Sequence, residues 1–282
     1  MRISSLIIFS ALAISAAAAQ SSISLVPSYT SGETLYYSIA IHSSIGGKAT
    51  LDTTAEAAIA ILAGAAPGRF DAEARFTRFT TAVQADPDDL AALKKQSSDT
   101  DQAATSMGAA RFRMAAAQFT VISRPNGPQF DEPVEMLEEL VRTDALPTAP
   151  VTVGEHWTRT RTRAIPTLEF SVPLTLDCVL TELAPVGSVR AATVTVRTTG
   201  HTPLPPGSLP GSQELAAQGL VAEAAVGFDT TATDHYRLQD SVLLESTSEN
   251  HNSMQIKLVG PSPQAGTTNT NIDSTSTVKL ER

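Results

Sequence analysis

Seven apolar side chains fall on successive even positions of a single stretch: Leu168, Phe170, Val172, Leu174, Leu176, Cys178 and Leu180. Glu169, Ser171, Thr175, Asp177 and Thr181 take odd ones. Successive side chains of an extended chain point to opposite faces, so this spacing builds a strand with an apolar side and a mostly polar side. Pro173 sits on the polar side and marks a sheet margin or a bend, because proline cannot donate to a strand ladder. The same period recurs in Leu35, Tyr37, Ile39 and Ile41, in Phe70, Ala72, Ala74 and Phe76, and in Leu220, Ala222, Ala224, Val226 and Phe228. Shorter candidates lie at 191–198, 242–246, 254–258 and 278–280. The pattern predicts a mainly β protein with minor α: a curved antiparallel sheet or partly open β-barrel covered by one or two helices.

Two stretches break the alternation. Asp86-Pro87-Asp88-Asp89-Leu90 reads as a helix start, with an aspartate cap, proline in the first turn and acids near the positive end of the dipole. The residues after it, to about Met107, are weakly amphipathic, so a frayed helix and a loop are both open. The second start, Phe130-Asp131-Glu132-Pro133, leads into Val134, Leu137, Leu140 and Val141 on one helical face, to about Ala145. That stripe is expected to lie over the apolar side of the sheet, with Glu132, Glu135, Glu138 and Glu139 on the solvated side. Irregular chain is expected at 203–214 and 260–270, and Gly46-Gly47-Lys48 reads as a hairpin turn.

The N-terminus has the order of a secretory signal peptide. Arg2 precedes a short apolar run from Leu6 to Ile14, and small residues Ala16 to Ala19 precede Gln20. The apolar run is shorter than the roughly 20 residues that span a bilayer. The expectation is a signal peptide at 1–19 and a single β-rich domain at 20–282, exported to the periplasm or beyond, with no transmembrane span in the mature chain. Gly32-Glu33 and Gly154-Glu155 each open a strand, which raises two similar halves of about 20–147 and 148–282 as one possibility beside two independent turns.

The 282 residues carry 20 basic and 29 acidic side chains, a net charge of -9, which offers no basic excess for a nucleic-acid partner. One cysteine excludes a disulfide framework and a cysteine-based zinc or iron–sulfur site. The five histidines, His42, His156, His201, His235 and His251, have no metal-ligand spacing. Asp234-His235 near Asp229 reads as a hairpin turn in preference to a ligand site. No Gly-x-Ser-x-Gly motif is present, and no catalytic residue, metal or cofactor is assigned. Arg159, Arg161 and Arg163 share one face of a strand. They are read as a solvent face pairing with acids such as Glu169 or Asp177, with an anion-binding stripe as the other option.

The Gly32-Glu33-x-Leu35-x-Tyr37 opening and the Pro150-Val151-x-Val153-Gly154-x-x-Trp157 segment together resemble a group of uncharacterised secreted bacterial β-rich proteins that carry a domain of unknown function. Both motifs read as structural, and the resemblance implies no functional residue. By fold analogy it implies curved antiparallel sheets with helices across the concave side. The leading expectation is an exported, non-catalytic cell-envelope protein that binds an apolar or amphipathic, lipid-like ligand. A structural or surface-interaction protein stands second and a hydrolase with an unrecognised site third. The expected binding residues are Ala74, Phe76, Trp157, Leu176, Ala224 and Val226. Oligomeric state and ligand identity are left open.

Overall fold

The computed structural model describes residues 22–64, 68–115, 118–165, 170–205, 207–209, 211–260 and 266–281. The segment expected to be a signal peptide, Leu168 and Glu169 lie outside them. Eleven strands form one antiparallel sheet: β1 (Thr34–Ile45), β2 (Ala49–Ala63), β3 (Arg69–Ala85), β4 (Ala110–Ala115), β5 (Gln118–Ser123), β6 (His156–Ile165), β7 (Phe170–Val186), β8 (Val189–Pro203), β9 (Val221–Arg237), β10 (Leu243–Val259) and β11 (Gly266–Leu280). The order is β5-β4-β3-β2-β1-β11-β10-β9-β8-β7-β6, so two meanders meet where β1 pairs with β11. The sheet stays open, with β5 and β6 as its margins. The expected mainly β architecture is present, with three helices.

Helix α1 (Pro87–Ser106) starts where Asp86 and Pro87 place it, although the Asp86 side chain makes no capping bond. The weakly amphipathic stretch is therefore helical. It buries only Ser97, Ala103 and Ala104, and its Asp101 carboxylate accepts from the backbone N–H of Thr81 on β3. Helix α2 (Asp131–Val141) buries Val134, Leu137, Leu140 and Val141 as expected but ends at Val141, short of Ala145. The chain then turns extended at Arg142, whose guanidinium pairs with Asp144 at 2.8 Å. Helix α3 (Ser212–Ala217) begins inside the stretch read as irregular, runs past its end and buries nothing.

Two apolar cores flank the middle of the sheet. The first joins Leu35, Ile59, Phe76, Phe112 and Met114 to the buried stripe of α2. The second gathers Val172, Leu174, Leu176, Leu180, Val194 and Val196 with Leu25 and Leu146. Cys178 lies in this second core. Pro173 is neither on a margin strand nor at a bend: it pairs across to Thr162 of β6, and the β7–β8 ladder begins only at Thr175, where its missing donor costs nothing.

The strand openings at Gly32 and Gly154 have the same geometry. Both glycines have positive φ, near +88° and +87°. The Gly32 N–H donates to Ile61 O and the Ile61 N–H returns to Glu33 O, while Gly154 and Leu180 make the equivalent pair through Glu155. The N-terminal segment ties the two meanders together, for Ile23 and Val151 exchange backbone bonds at 2.8 Å and the Ser28 N–H donates to Asp240 O.

Candidate functional site: a cavity beneath helix α2

Flat, the five strand steps from β1 to β7 would separate them by about 24 Å. Yet Ile39 of β1 and Leu176 of β7 line the same cavity as Leu140 of α2, so the sheet curls around the helix. The cavity is about 380 Å³. It adjoins a second space of about 640 Å³ towards the tips of β10 and β11, lined by Val226, Phe228, Met254 and Ile272 with the acids of α2. The half-exposed Ile272 marks this end as open.

Register fixes what lies on the floor. One row crosses nine strands through Arg159, Leu176, Thr198, Thr230, Asn250, Ser274, Ser43, Leu51 and Val83. Two rows along on the same face, Asp234, Ser246 and Val278 stand side by side between Val194 and Ile39. Apolar banks therefore enclose a polar stripe. This corrects the expectation of a uniformly apolar concave face: β9, β10 and β11 carry their hydroxyl, amide and carboxyl groups inward over their middle rows.

Most of that stripe is paired internally. Ser248 and Ser276 hydroxyls meet at 2.8 Å, Thr230 donates to Asn250 Oδ1 at 2.8 Å, and Asn250 Nδ2 donates to Ser248 at 3.2 Å. Asp234 accepts from Ser246 Oγ at 2.7 Å and from the Tyr236 hydroxyl at 3.2 Å. Burial pushes the Asp234 carboxyl above the ordinary carboxylate range, and these two donors only partly offset it. Asp234-His235 is thus not a hairpin turn. It lies within β9, with Asp234 inward and His235 bonded to Thr193 Oγ1 at 3.1 Å.

The open side between the sheet margins is closed by charge. Arg161 pairs with Glu139 at 3.2 Å and Arg163 with Glu135 at 2.6 Å, joining β6 to α2. Arg163 also lies 4.8 Å above the Phe228 ring, a cation–π contact. Arg159 donates to Leu146 O at 3.0 Å and Trp157 Nε1 to Ala145 O at 2.8 Å. The expected solvent-facing arginine stripe is therefore inverted. The alternation was right but its polar phase points inward, because β6 has the α2 acids opposite it. The same contact corrects the solvated reading of those acids. Burial raises the Glu132 and Glu138 carboxyls above their usual range, with Glu135 adding repulsion to both.

The six expected binding residues separate. Leu176 lines the smaller cavity and Val226 the larger. Ala224 and Trp157 belong to the second core, and Ala74 and Phe76 pack in the first, away from both spaces. Sequence reasoning missed Asp234, the Ser246–Asn252 stripe and the inward arginines. A signal for the stripe was present: Met254, Ile256 and Leu258 share parity with Asn252, Asn250, Ser248 and Ser246. Among the described residues no cluster of His, Cys, Asp or Glu is arranged to hold a metal ion. No described helix is long and apolar enough to cross a membrane.

No family model and no curated protein matches the chain. Among solved structures it is similar to lipovitellin, from work on lipid–protein interactions in that protein, at 12% identity and a TM-score of 0.42, over 90% of this chain and 26% of lipovitellin. It is also similar to an outer membrane channel from Pseudomonas putida, at 8% identity and a TM-score of 0.25, over 90% of this chain and 97% of the channel.

Proposed function

We propose that the chain is an exported, non-catalytic binding protein of the cell envelope whose α2-covered cavity holds one amphipathic ligand. The observation that carries this reading is the lining. Leu176, Val196, Ile39 and Leu140 provide apolar walls to a floor of Ser, Thr and Asn side chains within one space of about 380 Å³. Ligand sites are concavities of a few hundred Å³ that combine apolar walls with placed polar groups, and here the polar groups are as prominent as the walls. A protein with only a structural task gains nothing from leaving such a space, since filled interiors are the stable state. Amphiphiles match the lining because a purely apolar guest would set hydrocarbon against the Asp234 carboxyl and the unpartnered Asn252 Oδ1, and a purely polar one would waste the apolar walls. The test is titration with a neutral, environment-sensitive fluorescent alkyl probe. Saturable binding of one probe per chain, abolished by Ala232→Phe at a small inward position of the cavity, supports the reading. Absence of saturable binding overturns it in favour of the structural alternative.

A further inference from the structure

The cavity lining has more carboxyl groups than guanidinium groups. Glu132, Glu135, Glu139, Asp144 and Asp234 face Arg142, Arg161 and Arg163. Each arginine already has an acid: Asp144 at 2.8 Å from Arg142, Glu139 at 3.2 Å from Arg161 and Glu135 at 2.6 Å from Arg163. Asp234 and Glu132 are left over. Among the described residues Asp234 is bonded only by neutral donors, the Ser246 and Tyr236 hydroxyls. At the far end of the stripe, six residues along β10 from the Ser246 that serves Asp234, one oxygen of the lining lacks a donor altogether. Asn252 Oδ1 is buried and has no hydrogen-bond partner among the described residues, in a fold where nearly every buried polar atom finds one.

Resting on the binding function proposed above, we infer that the ligand's polar end is a cationic hydrogen-bond donor, an ammonium group on an apolar tail, and that Asp234 is its counter-charge. An anionic head placed in this cavity meets two acids without an ion pair, while Arg142, Arg161 and Arg163 of the lining are already paired and Arg159, bonded to Leu146 O, does not line it. An uncharged hydroxyl head satisfies one acceptor and leaves the Asp234 charge unpaired. An ammonium carries three donors and the opposite charge, so it can pair with Asp234 and also donate to a neighbouring hydroxyl such as Ser246 or Ser248. Tyr29 and Tyr236 in the same lining add aromatic surface, which suits a cation.

The test is displacement of the neutral alkyl probe by dodecylammonium, dodecanol, dodecanoate and putrescine, on the full chain and on Asp234→Asn. Dodecylammonium is expected to displace at concentrations about tenfold or more below dodecanol and dodecanoate, in line with a charge-assisted hydrogen bond. Asp234→Asn should erase that preference while the neutral probe still binds. Glu132→Gln, tested in parallel, should weaken dodecylammonium less, and it decides the matter if Asp234→Asn does not fold: an unchanged preference in Glu132→Gln then supports Asp234 as the counter-charge, and a preference erased there overturns that assignment. Equal displacement by all three dodecyl compounds overturns the ammonium assignment and leaves the amphiphile reading intact. Putrescine as effective as dodecylammonium overturns the tail. If the neutral probe itself never binds, the function proposed above has failed, not the head-group assignment alone.

Discussion

Arg163 on the margin strand β6 meets Glu135 of α2 at 2.6 Å, and with Arg161–Glu139 beside it this contact forms the seam between helix and sheet margin. On its other side α2 is held by apolar packing against the first core. One helix thus has a greasy attachment and a charged one, and the two should fail differently.

The charged seam is half-exposed, where ion pairs contribute little. The double change Glu135→Gln and Glu139→Gln is expected to cost less than about 2 kcal/mol in a urea melt. The same variant should take up the neutral alkyl probe faster in stopped flow, because the seam is the side of the cavity without a strand. Unchanged association kinetics would place the access route elsewhere.

The apolar attachment should behave as a core. Leu137 is fully buried between α2 and the first core. Truncating it to alanine is expected to cost about 2–5 kcal/mol, as large-to-small changes at closed sites do. Equilibrium unfolding measures this directly, and a loss under about 1 kcal/mol would mean that α2 is only loosely docked.

Gly32 and Gly154 hold matching left-handed corners with open space where a Cβ would stand. Gly32→Ala and Gly154→Ala should therefore each cost about 1–2 kcal/mol from backbone strain alone. The two losses should agree closely. Thermal melts of both variants check this, and a large disparity would show that the corners share geometry without sharing their role.

Cys178 is buried, and desolvation pushes its thiol up to about 12, with Asp234 adding to the rise. The thiolate that reacts is thus scarce in the folded chain near neutral pH. A bulky disulfide reagent should leave the native protein unlabelled over hours and modify it promptly in denaturant. Rapid native labelling would contradict the packing of the second core.

Much of this fold was legible because alternation is a local property. Val172 to Leu180 and Val134 to Val141 pack on the faces their spacing selects. What spacing cannot give is which face of a polar-and-polar strand turns inward. Arg159, Arg161 and Arg163 alternate with threonines, so neither phase is apolar, and their direction is set by Glu135 and Glu139 more than 20 residues earlier in sequence. Asp234 looked like a turn because Asp, His and Thr crowd around it, but β9 runs unbroken through all of them. The residues expected to bind were drawn from the apolar phase: Leu176 and Val226 line the two spaces, and the other four pack in or against the cores. Between the apolar walls the cavity floor is made where the polar phase of β9, β10 and β11 passes beneath α2.

Native mass spectrometry of the chain purified from the cells that make it tests the central claim most directly. The account predicts a fraction of the protein carrying one bound amphiphile, released on collisional activation and absent from Ala232→Phe prepared in the same way. A single ligand-free mass in both preparations, with no alkyl compound taken up on addition, would contradict it.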